Sequence, residues 1–154
     1  MLHFVKGDIF ESPARVLVNP VNCVGVMGKG LALEFKKRYP TEFNVYKDLC
    51  QNEEIEPGDC IILTNEDTAA ADQKLILAAA TKGHWKNKTE LEYVEQILDN
   101  IQIVGILTPG RLRSIAIPKL GCGCGGLDWE TQVRPLVVEY LSSKDIRMDI
   151  YVYE

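Results

Sequence analysis

At 154 residues, with 46% apolar and 25% charged side chains and a net charge of −5, the chain has the make-up of one globular domain with its own core, and its acidity excludes non-specific coating of nucleic acid. No apolar run reaches bilayer-spanning length, and the start lacks the charged region and cleavage site of a signal peptide, so a cytoplasmic protein without a membrane partner is expected. The cysteines Cys23, Cys50, Cys60, Cys122 and Cys124 are odd in number and read as reduced thiols; with only His3 and His84 beside them, no metal, no other cofactor and a monomeric chain are expected.

Residues 2–6 read as a strand ending at Gly7-Asp8. A second strand over 15–19 runs into Asn19-Pro20-Val21-Asn22, and then into the glycine loop Cys23-Val24-Gly25-Val26-Met27-Gly28-Lys29-Gly30. A helical pattern over 30–39 follows, with Lys36-Lys37-Arg38 at the end where cations suit the helix dipole. Pro40-Thr41 stops that helix and is expected to cap another over 41–49. The turn Glu56-Pro57-Gly58-Asp59 leads into a strand over 60–64, and the apolar run 75–81 is a further strand. Thr89 and Glu92 form a capping-box pattern for a helix over 89–104, whose stripe is Leu91, Val94, Ile97, Leu98 and Ile101. A strand over 114–118 enters a second glycine loop, Gly121-Cys122-Gly123-Cys124-Gly125-Gly126-Leu127; Asp128 then stands at the start of a helix over 129–141, and a strand over 149–153 ends the chain. Apolar strands alternating with helices predict one α/β domain over residues 1–154, a three-layer α/β/α arrangement with a mixed, mostly parallel central sheet.

Strand, glycine loop and helix start together make an anion site, because glycine lets successive N–H groups converge and the helix dipole adds positive potential. Two such loops at the carboxyl ends of neighbouring strands would clamp a diphosphate. The alternative is a pair of tight turns that bind nothing. Neither loop is a Walker loop, and Gly121-x-Gly123-x-x-Gly126 matches the dinucleotide string only as a lone match. Lys82 follows a buried-looking strand and so emerges at the same edge. As an ammonium it would stabilise an anionic leaving group, as a free amine it would act as nucleophile or base, and the plain alternative is a solvated lysine. His84, Trp85, Lys86 and Lys88 put cations beside an aromatic, which suits a nucleic-acid strand; the alternative is a solvated loop with Trp85 packed inward.

Gly7-Asp8-Ile9-Phe10, Asn19-Pro20-Val21-Asn22 and Gly121-Cys122-Gly123 resemble the macrodomain family, which binds ADP-ribose. The long string from Asn19 to Lys36, Thr81-Lys82-Gly83-His84-Trp85 and Gly125-Gly126-Leu127-Asp128-Trp129 are similar to the DarG group within it. That resemblance implies an ADP-ribosyl glycohydrolase removing ADP-ribose from thymine bases of single-stranded DNA, working against a DarT-type toxin. The alternatives are an ADP-ribose-binding module without turnover, an ADP-ribose-1″-phosphate phosphatase or a protein ADP-ribosyl hydrolase.

The resemblance also implies roles. Asp8 accepts from the adenine amino group, Ile9 packs on the ring, and Asn19 and Asn22 lie by the ligand, Asn22 at the distal ribose. Val24, Gly25, Val26, Met27, Gly28, Gly30 and Leu31 hold the diphosphate from one side, with Thr81 nearby. Gly121, Cys122, Gly123, Cys124, Gly125, Gly126 and Leu127 hold it from the other. Lys82 and Asn22 are the catalytic candidates; His84, Trp85, Lys86 and Lys88 are the DNA-binding ones. Two residues depart from the pattern. Gly125 stands where the protein glycohydrolases carry a catalytic aspartate, so a lysyl intermediate resolved by that acid is not expected, and Cys124 stands where the DarG group has asparagine.

Overall fold

Side chains alternate between the two faces of each strand, and in the computed structural model, which describes residues 1–154, that alternation builds two separate cores. The strands are β1 (Leu2–Val5), β2 (Val16–Val21), β3 (Cys60–Ile62), β4 (Leu75–Ala80), β5 (Ser114–Ile117) and β6 (Asp149–Tyr153). The helices are α1 (Gly30–Arg38), α2 (Pro40–Gln51), α3 (Leu91–Leu107) and α4 (Arg134–Leu141). Val16, Val18, Leu75, Leu77, Ile115, Ile117, Ile150 and Val152 face the side covered by α3 and α4. Leu17, Val21, Ile76, Ala78, Ala80 and Ala116 face the opposite side, with Phe35 of α1 and Tyr46 of α2. Full burial of a leucine or isoleucine contributes about 1.5–3 kcal/mol, so both faces hold the sheet in place.

The sheet has six strands in the order β1-β6-β5-β2-β4-β3. Every pairing is parallel except β3 against β4, which gives the expected mixed, mostly parallel sheet in three layers. The central register is long: β2 and β4 pair from Val16 with Leu75 to Val21 with Ala80. Their carboxyl ends therefore release Asn22 and Lys82 side by side.

Helix starts differ from the sequence expectations. α2 begins at Pro40 with Tyr39 at its cap, so Thr41 is not the capping residue; proline suits the first position because that N–H has no helical partner. α3 begins at Leu91 after Glu90 and has no side-chain cap, so the Thr89–Glu92 capping box does not form. Thr89 is buried and is used elsewhere. The last helix opens with a π turn over Trp129–Val133, in which the Asp128 carbonyl accepts from both Gln132 N (3.1 Å) and Val133 N (3.2 Å). No helix is long and apolar enough to cross a membrane.

Candidate active site

A cleft of about 770 Å³ opens at the carboxyl ends of β2, β4 and β5. Both glycine loops line it, together with Thr81, Lys82, Trp85, Asp128 and Trp129. A second cavity of about 400 Å³ lies between β3 and α3, has mainly apolar walls, and shares none of these groups.

A side chain shapes the first loop. Asn22 Oδ1 accepts from the Tyr46 hydroxyl (2.7 Å) and from Val24 N (3.0 Å), while its Nδ2 donates to the Val26 carbonyl (2.8 Å). Tyr46, fully buried on α2, shares its one hydroxyl proton between that Oδ1 and the Asn22 carbonyl at 2.9 Å. The amide oxygen is thus taken, and one N–H of Nδ2 remains. Asn22 lines the cleft, so it can offer a ligand a donor but no acceptor.

The second loop is shaped by what its glycines leave out. A Cβ on Gly125 would collide with the Gly121 carbonyl and with Thr89 Oγ1, and one on Gly121 would sit 2.9 Å from Leu127 and 3.0 Å from Thr89. Gly121 also has φ +74°, which favours glycine. Thr89 N donates to the Gly125 carbonyl (2.9 Å) and Leu127 N to the Gly121 carbonyl (2.9 Å). A carboxylate side chain at position 125 has no room, which is the physical counterpart of the sequence departure noted there.

Lys82 stands between the loops. It is 8% exposed, and its Nζ donates to the Cys124 carbonyl at 3.3 Å, which leaves two of its three donors for the cleft it lines. The segment it begins is fastened at both ends, by Cys23 N to the Gly83 carbonyl (2.8 Å) and by Thr89 to Gly125. Between these ties Trp85 is 49% exposed and turned outward rather than packed inward. Lys86 Nζ lies 5.2 Å from its ring centroid, and Lys86 N donates to His84 Nδ1 (3.1 Å).

The cleft brings together many of the expected residues: Asn22, Val26, Gly28, Gly30, Leu31, Thr81 and Lys82, and the second loop except Gly126. Others stand outside its walls. Asn19 and Met27 are buried behind the first loop, with Asn19 Nδ2 3.7 Å from the Met27 sulfur. Asp8 lies beyond the end of β1 and accepts from Phe10 N (2.9 Å), capping the short turn Ile9–Glu11 in which Ile9 is buried. Val24, Gly25, Gly126, His84, Lys86 and Lys88 flank the opening on the same two loops and the Lys82 segment.

The structure adds residues that sequence reasoning missed. Lys29 and Lys119 line the cleft and pair with no carboxylate. Trp129 lines it too, and its Nε1 donates to Glu154 Oε2 (2.9 Å), to which Arg134 also pairs (3.3 Å). Those two donors hold the Glu154 carboxyl below its ordinary range, the Trp129 hydrogen bond first. Asp128, expected at the start of the last helix, caps it and lines the cleft; its Oδ2 accepts from Thr131 Oγ1 (2.6 Å) and Thr131 N (2.8 Å), which lower its pKa, and its Oδ1 has no partner. Burial pushes the Cys122 thiol up to about 11, whereas Cys124 is exposed. No cluster of histidine, cysteine and carboxylate side chains is placed to hold a metal.

Residues 18–135, which contain both loops and Lys82, match the Macro domain family. The chain belongs to the Macro domain family. This macrodomain is 38% identical over 152 residues to the DNA ADP-ribosyl glycohydrolase of Mycobacterium tuberculosis, an alignment covering 98% of this chain and 42% of that protein. It superposes on the macrodomain of M. tuberculosis DarG with a TM-score of 0.86 at 37% identity, covering 99% of this chain and 97% of that one. It superposes equally on Thermosipho africanus DarTG in complex with ADP-ribose (TM-score 0.86, 36% identity), covering 99% of this chain and 41% of that one. The macrodomain spans about two-fifths of the length of the curated relatives it matches.

Proposed function

We propose that this macrodomain is a DNA ADP-ribosyl glycohydrolase that cleaves ADP-ribose from thymine in single-stranded DNA and so reverses the work of a DarT-type transferase. One observation carries the reading: Lys82 is buried between two amide-lined loops with donors free toward the cleft, and an exposed tryptophan stands beside it. The names of the M. tuberculosis and T. africanus relatives support it.

In this reading the backbone N–H groups of the two loops and the start of α1 receive the diphosphate. Asp8 and Ile9 serve the adenine end. The free N–H of Asn22 donates to a hydroxyl of the distal ribose. Lys82 donates to a carbonyl oxygen of the base as the C1″–nitrogen bond breaks and its electron pair moves onto the base. Water forms the new bond to C1″, and its proton balances the one taken up by the base. Preorganised donors aimed at developing negative charge are the largest single source of rate in many enzymes. Position 125 has no room for an acid to resolve a lysyl adduct, and the carboxylate of Asp128 is turned to capping through Thr131, so electrostatic and proton-donor roles for Lys82 fit better than a covalent one. His84, Trp85, Lys86 and Lys88 would meet the strand beyond the ribose, and the protein would act as a cytoplasmic monomer.

The test is to incubate wild type and Lys82→Ala with an ADP-ribosylated single-stranded oligonucleotide, an ADP-ribosylated protein and ADP-ribose-1″-phosphate. Wild type should release ADP-ribose from the oligonucleotide, and Lys82→Ala should slow that release at least about 100-fold, or about 2.7 kcal/mol in barrier, while still binding ADP-ribose. Release only from the protein or the phosphate would replace the DNA assignment, and near-normal turnover by Lys82→Ala would remove the lysine from the mechanism.

A further inference from the structure

Large apolar side chains are seldom left in water without a purpose when they cluster at a cleft mouth. Three do so here. Val24 is 44% exposed, Val26 41% and Trp85 49%, and they lie on the two loops that flank Lys82. Val26, Trp85 and Lys82 all line the cleft. The Cys23 N to Gly83 carbonyl bond holds the Val24–Val26 loop against the Trp85 segment. Asn22, pinned by Tyr46, fixes Val24 and Val26 in turn.

We infer that Val24, Val26 and Trp85 form an apolar seat for the base that leaves from C1″, and that the seat selects thymine by its 5-methyl group. The inference rests on the glycohydrolase reading and names the residues that choose the base. The polar groups around the seat decide against the other bases. Lys82 and Asn22 present donors only, because Asn22 Oδ1 is taken by Tyr46 and Val24. The one carboxylate lining the cleft, Asp128, has its Oδ2 taken by Thr131 N and Thr131 Oγ1. Neither Lys82 nor Asn22 can accept from an exocyclic amino group, as on adenine, guanine or cytosine, so such a base gains no hydrogen bond from them. Thymine offers two carbonyl acceptors to these donors, a flat face to Trp85 and a methyl group to the valines. Lys86 and Lys88, exposed on the Trp85 segment, and Lys29 across the opening supply the positive charge that the adjoining phosphodiesters require.

The experiment compares two oligonucleotides of one sequence that carry ADP-ribose on thymine or on uracil, under single-turnover conditions. Both share the same diphosphate and ribose, so their rate ratio is blind to how well the loops hold ADP-ribose. Wild type should prefer thymine about fourfold, the worth of one buried carbon at about 0.8 kcal/mol. Val24→Ser with Val26→Ser should bring the ratio to about one; Val26→Ala alone, the milder change, should lower it part-way. A wild-type ratio of one, or a ratio unchanged in both variants, would overturn the seat while the glycohydrolase reading stands. Cleavage of neither oligonucleotide by wild type would overturn that reading, and the seat with it.

Discussion

The two glycine loops face one another across the cleft and are built by opposite means. In the first, hydrogen bonds from the Asn22 amide bend the chain, and a Cβ at Gly28 or Gly30 would meet at most Val26 at 3.6 Å. In the second, glycine is demanded by crowding: Gly121 and Gly125 have backbone and Thr89 where a side chain would go. A loop shaped by one polar side chain can be adjusted through that side chain. A loop shaped by missing atoms cannot, and its glycines are fixed for packing as well as for ligand approach. Chemical sequence alone makes the two look alike.

The contrast can be broken at four points. The largest effect should come from Gly123→Glu. Position 123 has nothing within 4 Å, so the variant should fold, but a carboxylate facing the diphosphate should weaken ADP-ribose at least about 100-fold, or about 2.7 kcal/mol, in a calorimetric titration. Next is Gly125→Ala. Its methyl must displace Gly121 or Thr89, so chemical denaturation should show a loss of about 1–3 kcal/mol, whereas Gly28→Ala in the first loop should unfold with the wild type. Equal behaviour of those two variants would erase the distinction between the loops.

Tyr46→Phe comes third. It removes the donor behind Asn22 and should cost about 0.5–1.5 kcal/mol, with ADP-ribose affinity falling in parallel because the first loop loses its brace. Unchanged affinity would mean that Val24 and Val26 suffice to hold Asn22. The smallest effect is in pH. The Glu154 carboxyl titrates below its ordinary 4.5 in the folded protein. Its stabilising contribution is therefore complete above that value and fades as the pH falls through the folded-state pKa. Glu154→Gln should flatten this acid limb of a thermal-unfolding series, and an unchanged limb would assign the acid sensitivity to other carboxylates.

Much of this arrangement could be read in advance. The unbroken run Leu75–Ala80 announces a strand buried on both faces, and Lys82 must then emerge at its carboxyl end. The asparagines after β2 and the glycines after β5 mark the other two walls. What escaped notice depends on partners distant in the chain. Tyr46 looks like any core aromatic on a helix, and only the fold brings its hydroxyl to Asn22, 24 residues away. Thr89 fits a capping box by spacing, yet packing under Gly125 prevails over that local pattern. Trp129 reads as a helix residue, and the π turn together with Glu154 places it in the cleft wall.

The pairing of β1 with β6 has a practical consequence for anyone handling the protein. Because all strands except β3 run the same way, Met1 lies at the edge opposite the cleft, where its amine donates to the Met148 carbonyl at 2.9 Å. Glu154 lies at the cleft edge, bonded to Trp129. A fluorophore, affinity handle or surface tether joined at residue 1 therefore points away from bound ligand, at the modest cost of one terminal hydrogen bond. The same attachment at residue 154 would crowd the mouth of the cleft and report on Trp129 as much as on the ligand.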